Sequence, residues 1–128
     1  MVSDRDAADH RLLRGPSLLA CIGAVMAAAA IGFSAYAAHA VGDAHIQANL
    51  RTAAQYLFAH GLALAALAPF TIRRLGRMSL AMLLAGVLLF SGSLIGNALL
   101  QWPTRWAPFG GIMMMLGWCV WAVDALRR

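Results

Sequence analysis

Lysine and glutamate are both missing from this chain of 128 residues. All ten strongly basic side chains are arginine and all five acids are aspartate, for a net charge of +5. Charged residues make up only 12% of the chain, and long stretches carry none at all. Membrane proteins distribute charge in this way. An apolar content of 62% and a mean hydropathy of +0.72 exceed what a soluble domain of this length needs. Without glutamate there is no HExxH motif, and neither GxSxG nor an intramembrane acidic pair is present. Cysteine is scarce too. Cys21 and Cys119 both fall inside apolar runs with no CxxC or Cys/His zinc spacing, so they say nothing of redox compartment and read as buried small hydrophobes. Nor does the basic excess point to nucleic acid, because the arginines stand in short blocks between apolar runs. They read as topology signals facing anionic lipid.

What the chain does contain is four long uncharged or nearly uncharged runs, at about 17–38, 52–72, 79–100 and 106–123. Each approaches the roughly 17–25 residues that cross a hydrocarbon core as helix. The expected fold is therefore all-α, an integral membrane bundle of four transmembrane helices. Residues 1–16 form a polar cytoplasmic tail, 17–125 the membrane domain and 126–128 a cytoplasmic end. Two of the three connectors are very short, which makes successive spans antiparallel neighbours. With the N-terminus in the cytoplasm, Arg5, Arg11, Arg14, Arg73, Arg74, Arg77, Arg127 and Arg128 lie inside, against Arg51 and Arg105 outside. That split places both termini in the cytoplasm and the chain in the inner membrane as a multi-pass protein. Trp102 and Trp106 then fall at the outer interface, where indole rings prefer to sit. A cleavable secretory signal competes for the first span, given its basic tail and the triplets Ala35-Tyr36-Ala37 and Ala38-His39-Ala40. Its apolar run exceeds the usual signal length of roughly 7–15 residues, which favours retention.

The polar residues within the spans carry the functional question. Counted from Thr52, His60 lies about 12 Å below the outer surface, and Ser93, Asn97, Tyr36, His39 and Gly110-Gly111 fall in the same half. Thr52, Gln55, Tyr56, Ala59, His60 and Ala63 share an arc of about 140° and are expected to face inward. Gly86, Ser93 and Asn97 line up on the third span. Gly92 and Gly96 supply a small-xxx-small pattern for close helix approach, and Ala- and Gly-rich span one invites the same. A histidine in hydrocarbon should be neutral and hydrogen-bonded. Its candidate partners are Tyr56 one turn away, and Ser91, Ser93, Asn97 or His39 across an interface.

Four motifs in order carry a resemblance: Ala38-His39-Ala40; Thr52-Ala53-Ala54-Gln55-Tyr56 followed by His60; Phe90-Ser91-Gly92-Ser93-Leu94; and Pro108-Phe109-Gly110-Gly111 leading to Gly117-Trp118. Over about Gly23 to Ala125 the chain resembles the DUF423 family of small four-helix membrane proteins. The resemblance implies an integral membrane protein but no catalytic residues. It carries over the positions His39, Gln55, Tyr56, His60, Ser91, Gly92, Ser93, Gly110 and Gly111. The chain departs from the pattern at Ala37, where the family commonly has Gly, at Ala107, where a Thr is common, and at Gly61, a place often held by Ala.

Among functions, a structural or accessory protein needs only that the polar cluster of His39, Gln55, Tyr56, His60, Ser91, Ser93 and Asn97 fix helix register or hold a partner. Gly92, Gly96, Gly110 and Gly111 would serve packing. The alternative is a small oligomeric transporter or channel subunit using His60. Small multidrug transporters are of similar size but depend on an embedded Glu, and the acid nearest a span, Asp124, reads as paired with Arg127 and Arg128. A haem or metal site on His39 and His60 with Met113-Met114-Met115 is weaker, because successive residues point about 100° apart. A Ser91 or Ser93 dyad with His60 is weaker still, since intramembrane Ser usually bonds its own backbone. The reading is thus no cofactor, no metal and no catalytic residue. Its partners are the lipid bilayer and a homo-oligomer or partner membrane protein, with no nucleic acid.

Overall fold

The computed structural model describes residues 3–7 and 16–127. His10, Arg11, Arg14 and Arg128, with most of the polar tail, lie outside the described residues. One helical turn at residues 4–7 is followed by four long helices. These are α1 (Leu18–His39), α2 (Ala44–Leu67, continued by a 3-10 turn at Ala68–Phe70), α3 (Arg74–Leu100) and α4 (Ala107–Leu126). All four are long and apolar enough to cross a membrane, and no more than about a third of each span's most apolar window is buried within the chain. The remaining surface is a coat of large apolar side chains, including Val25, Ile31, Leu62, Leu88 and Leu116, as lipid-facing helices require.

Local chemistry sets the helix ends. Ser17 caps α1 by accepting from the Ala20 amide, and the Asp43 carboxylate accepts from the amides of both His45 and Ile46 to start α2. Pro69 turns the chain out of α2, and Pro108 sits in the first turn of α4, where its missing N–H costs nothing. Two helices begin earlier than the uncharged runs suggest: α2 at Ala44 rather than near 52, and α3 at Arg74 rather than 79. The reason is that a charge ends an apolar run but not a hydrogen-bonded helix. Arg51, Arg74 and Arg77 all project from exposed positions on continuous helix.

The helices adjoin in chain order, α1 on α2, α2 on α3 and α3 on α4, while the backbones of α1 and α4 barely approach each other. Two hairpins are thereby joined through α2 and α3. Each hairpin crosses on a reciprocal pair of glycines. A Cβ built on Gly23 would stand 2.6 Å from the carbonyl oxygen of Gly61, and one on Gly61 would stand 2.6 Å from that of Gly23. In the second hairpin a Cβ on Gly86 would meet the Met114 amide nitrogen at 2.8 Å, and one on Gly110 the Gly86 carbonyl oxygen at 2.7 Å. Missing side chains thus let the backbones touch, the usual device for packing helices in lipid. Between the hairpins Leu57, Leu64, Leu80, Leu83, Val87, Met26, Ala30 and Met114 form the core.

Candidate functional site

His60 is the most buried polar side chain of α2, 6% exposed. Its Nδ1 lies 2.8 Å from the carbonyl oxygen of Tyr56, one turn back along α2. The Trp118 indole N–H, from α4, donates to its Nε2 at 3.1 Å. An indole nitrogen only donates and a carbonyl only accepts. The ring is therefore the neutral imidazole with its proton on Nδ1, donating to Tyr56 and accepting from Trp118. Aromatic rings close over it. Tyr56 stacks at 6.2 Å between centroids, Trp118 tilts against it at 5.9 Å, and Phe90 of α3 packs on Tyr56 at 4.8 Å. Tyr56 and Trp118 are half-exposed and stand between the imidazole and the outside.

The other polar residues do not gather at His60. They are spaced along the helices as separate cross-links. Near the end where the hairpin loops lie, Gln47 donates to the Ala37 carbonyl at 2.8 Å, tying α2 to α1. Asn97 accepts from Asn49 at 3.2 Å and donates to the Trp102 carbonyl at 2.8 Å, joining α2, α3 and the loop after it. Deeper, Ser91 of α3 donates to the Ala53 carbonyl of α2 at 2.9 Å. Beyond the His60–Trp118 level, Ser79 of α3 donates to the Gly117 carbonyl of α4 at 2.7 Å. At the far end the Arg73 Nε lies 3.6 Å from the carboxylate of Asp124, itself 1% exposed. Both serines are fully buried. Their hydroxyls bond across to a neighbouring helix rather than back along their own.

Measured against the sequence expectations, His60 and Ser91 sit inside the bundle's polar contacts, Asn97 joins them at the loop end, and Tyr56 meets His60 through its backbone carbonyl and its ring, its half-exposed hydroxyl taking no part. His39 is exposed at the last turn of α1, and His60 has no nitrogen left for it. Gln55 is exposed, so the inward stripe is not the one expected. The buried face of α2 runs through Leu50, Ala53, Ala54, Leu57, His60, Gly61 and Leu64. The arc from Thr52 to Ala63 straddles its edge, because a stripe chosen by polarity takes in groups on both sides of the lipid boundary. Ser93 bonds neither Asn97 nor His60; its hydroxyl is buried beside Trp102, Pro103 and Trp106. Along α2, His60 is sixteen residues from the helix's first residue and seven from its last.

The packing glycines also need revision. Gly92 is exposed, and a Cβ there would meet nothing within 4 Å. Gly96 makes room for the Trp102 ring instead of a helix, and a Cβ on Gly111 would only graze Phe90 at 3.9 Å. Gly110 is a true crossing point, but its partner is Gly86. Cys21 and Cys119 are exposed rather than buried, since in lipid a small apolar side chain is as well placed outside a bundle as inside. Asp124 pairs with Arg73, across the fold, while Arg128, one of the two partners expected along the sequence, lies outside the described residues. Met114 is buried in the core while Met115 is exposed, so the methionine run does not face one way. Among the described residues no three His, Cys, Asp or Glu side chains stand close enough to hold a metal ion together.

The residues the sequence reading missed are Trp118 as the partner of His60, Ser79, and Gly61 as half of a crossing. Gly61 had a signal, since it departs from the family pattern directly after His60. Trp118 and Ser79 had none, because a tryptophan in a transmembrane helix and a serine near its first turns are both ordinary.

Comparison with known proteins agrees with a membrane protein. A family model described as "Protein of unknown function (DUF423)" matches residues 33–111, a shorter stretch than the motifs suggest but one that holds every position they carry over; of the motifs themselves only Gly117-Trp118 falls outside it. A UPF0382 membrane protein of Schizosaccharomyces pombe is 31% identical over 104 residues, covering 73% of this chain and 88% of the relative. A UPF0382 membrane protein of Haemophilus influenzae is 32% identical over 107 residues, covering 76% of this chain and 84% of the relative. No solved structure matches the chain.

Proposed function

The chain belongs to the DUF423 family of membrane proteins, and from that premise we propose that it serves a structural or accessory role, its intramembrane polar groups holding its own helices in register. One observation carries this reading: both nitrogens of His60, the histidine buried within a span, are taken by partners in the same chain. A ligand or a transported proton needs a free nitrogen there. The spacing of the remaining polar contacts supports the same role, because each links two elements and none converges on a shared cavity with another.

The transporter reading makes a different demand, since flux through His60 requires its imidazole to change partners in each cycle. Reconstituted vesicles separate the two. Wild type and His60→Ala should show equal proton and solute fluxes, at the level of empty vesicles; a flux lost only in the variant would overturn the structural role.

The proposal extends to orientation, with both termini in the cytoplasm and the protein in the inner membrane; what supports it is that Arg73, Arg74, Arg77 and Arg127 all belong to the end of the bundle where the chain enters α1 and leaves α4. A C-terminal fluorescent-protein fusion should then be bright and an alkaline phosphatase fusion inactive. The reverse pattern would invert the orientation.

A further inference from the structure

From the cavity where α1 begins beside the turn from α2 into α3, we infer that the protein holds one anionic phospholipid, its phosphate at Arg77 and its acyl chains along the apolar wall. The cavity has a volume of about 460 Å³. Small-molecule sites run roughly 300–1,000 Å³, so a glycerophosphate group has room there. Its wall is divided: Leu19, Ile22, Pro69 and Ile72 make one part apolar, while Ser17 and Arg77 make the rest polar. Ile72 is 65% exposed, and Arg77 beside it is exposed as well. A rim that joins open apolar side chains to a guanidinium suits the headgroup layer, where the first reach acyl chains and the second reaches phosphate.

Charge identifies the occupant. Arg73, Arg74 and Arg77 stand at the cap and in the first turns of α3, and no acid accompanies them there. A helix start is already positive, so these cations crowd an end that favours anions. Asp124, the one acid within the four helices, is buried against Arg73. Arg77 has no ion pair or hydrogen bond among the described residues. The first turn of α1, which opens on the same cavity, carries no acid either, and Ser17 takes up only its Ala20 amide. What the place lacks is negative charge, yet a free hydrated anion gains nothing from the apolar part of the wall. A phosphate carried on acyl chains meets both demands. Basic pockets between transmembrane helices bind acidic lipid headgroups by this combination. The site is independent of the accessory role and holds equally for a transporter.

The test uses the full-length chain in detergent micelles doped with equal amounts of phosphatidylglycerol and phosphatidylcholine of the same acyl chains. Bound lipid is read by native mass spectrometry and stabilisation by thermal melting. One phosphatidylglycerol should be retained in preference to phosphatidylcholine, whose choline cation meets the arginines, and phosphatidylglycerol should raise the melting temperature. Inorganic phosphate at the same concentration should not. Arg77→Gln should weaken phosphatidylglycerol binding on the order of tenfold, the scale of one hydrogen bond to a charged group. Because Arg77 is exposed, that variant should melt no lower than the wild type when lipid is left out, which separates lost binding from lost folding. Arg127→Gln, at the same end but outside the cavity, should bind as the wild type does. A wild type that retains neither lipid or both equally, stabilisation by inorganic phosphate alone, undiminished binding by Arg77→Gln, or an equal loss in Arg127→Gln would each overturn the site.

Discussion

At the residue scale, the clearest chemistry is the hydrogen-bond order Trp118 to His60 to the Tyr56 carbonyl. Each group in it can play only one part, so the imidazole is held in one tautomer by two different helices. Trp118→Phe keeps a ring near the imidazole but removes the donor, leaving Nε2 with an unused lone pair. We expect a loss of about 0.5–1.5 kcal/mol, in line with intramembrane hydrogen bonds measured elsewhere, seen as a lower melting temperature in detergent. An unchanged melting temperature would show that the bond holds nothing together. From the sequence, His60 was legible as a group needing a partner, since polar residues in hydrocarbon must find one. The partner was not legible. Trp118 is fifty-eight positions away, and no local pattern marks which indole turns its N–H inward.

At the element scale, the glycines divide into those that permit contact and those that merely occur in helices. Gly23 and Gly61 touch across α1 and α2, so Gly61→Ala pushes a methyl group against backbone that cannot yield without separating the helices. A loss of about 1–3 kcal/mol is expected, the usual range for overpacking. Gly92→Ala should do the opposite. Its site is open, and alanine favours a helix over glycine by up to about 1 kcal/mol. Melting both variants side by side checks the assignment: equal effects would mean that the two glycines are equivalent after all. The Gly92-to-Gly96 spacing has the form of a packing motif, but spacing places both residues on one face without saying what that face meets. Here it meets open surface at Gly92 and the folded-back Trp102 at Gly96.

At the scale of the whole molecule, two glycine-crossed hairpins are joined by buried leucines and by polar links spread from the loop end to the chain termini. The last of these links ties the end of α4 to the turn between α2 and α3 through Asp124 and Arg73. The Arg73 side chain is 43% exposed, so solvent weakens its pull on the carboxylate. After that discount, Arg73→Ala should cost about 1 kcal/mol, because it leaves the buried carboxylate with one cation fewer. Arg127→Ala, a substitution on α4's own exposed end, should cost less. A larger loss for Arg127→Ala in detergent melting would return Asp124 to the local pairing that its sequence neighbours suggest.

The sequence by itself determined the class of the molecule. Four runs long and apolar enough to cross a bilayer, with charge confined to their flanks, leave an all-helical membrane protein as the outcome, because a backbone in hydrocarbon must satisfy its own hydrogen bonds. It also marked His60, Tyr56, Ser91 and Asn97 as groups in need of partners. Only the tertiary structure decided which faces turn inward. In a soluble helix the polar side betrays the outside, but in lipid both sides of a helix are apolar, and a lipid-facing leucine cannot be told from a buried one. Leu57 and Leu64 therefore proved to be core, Gln55 proved to face out, and Trp118 proved to be the partner that His60 required.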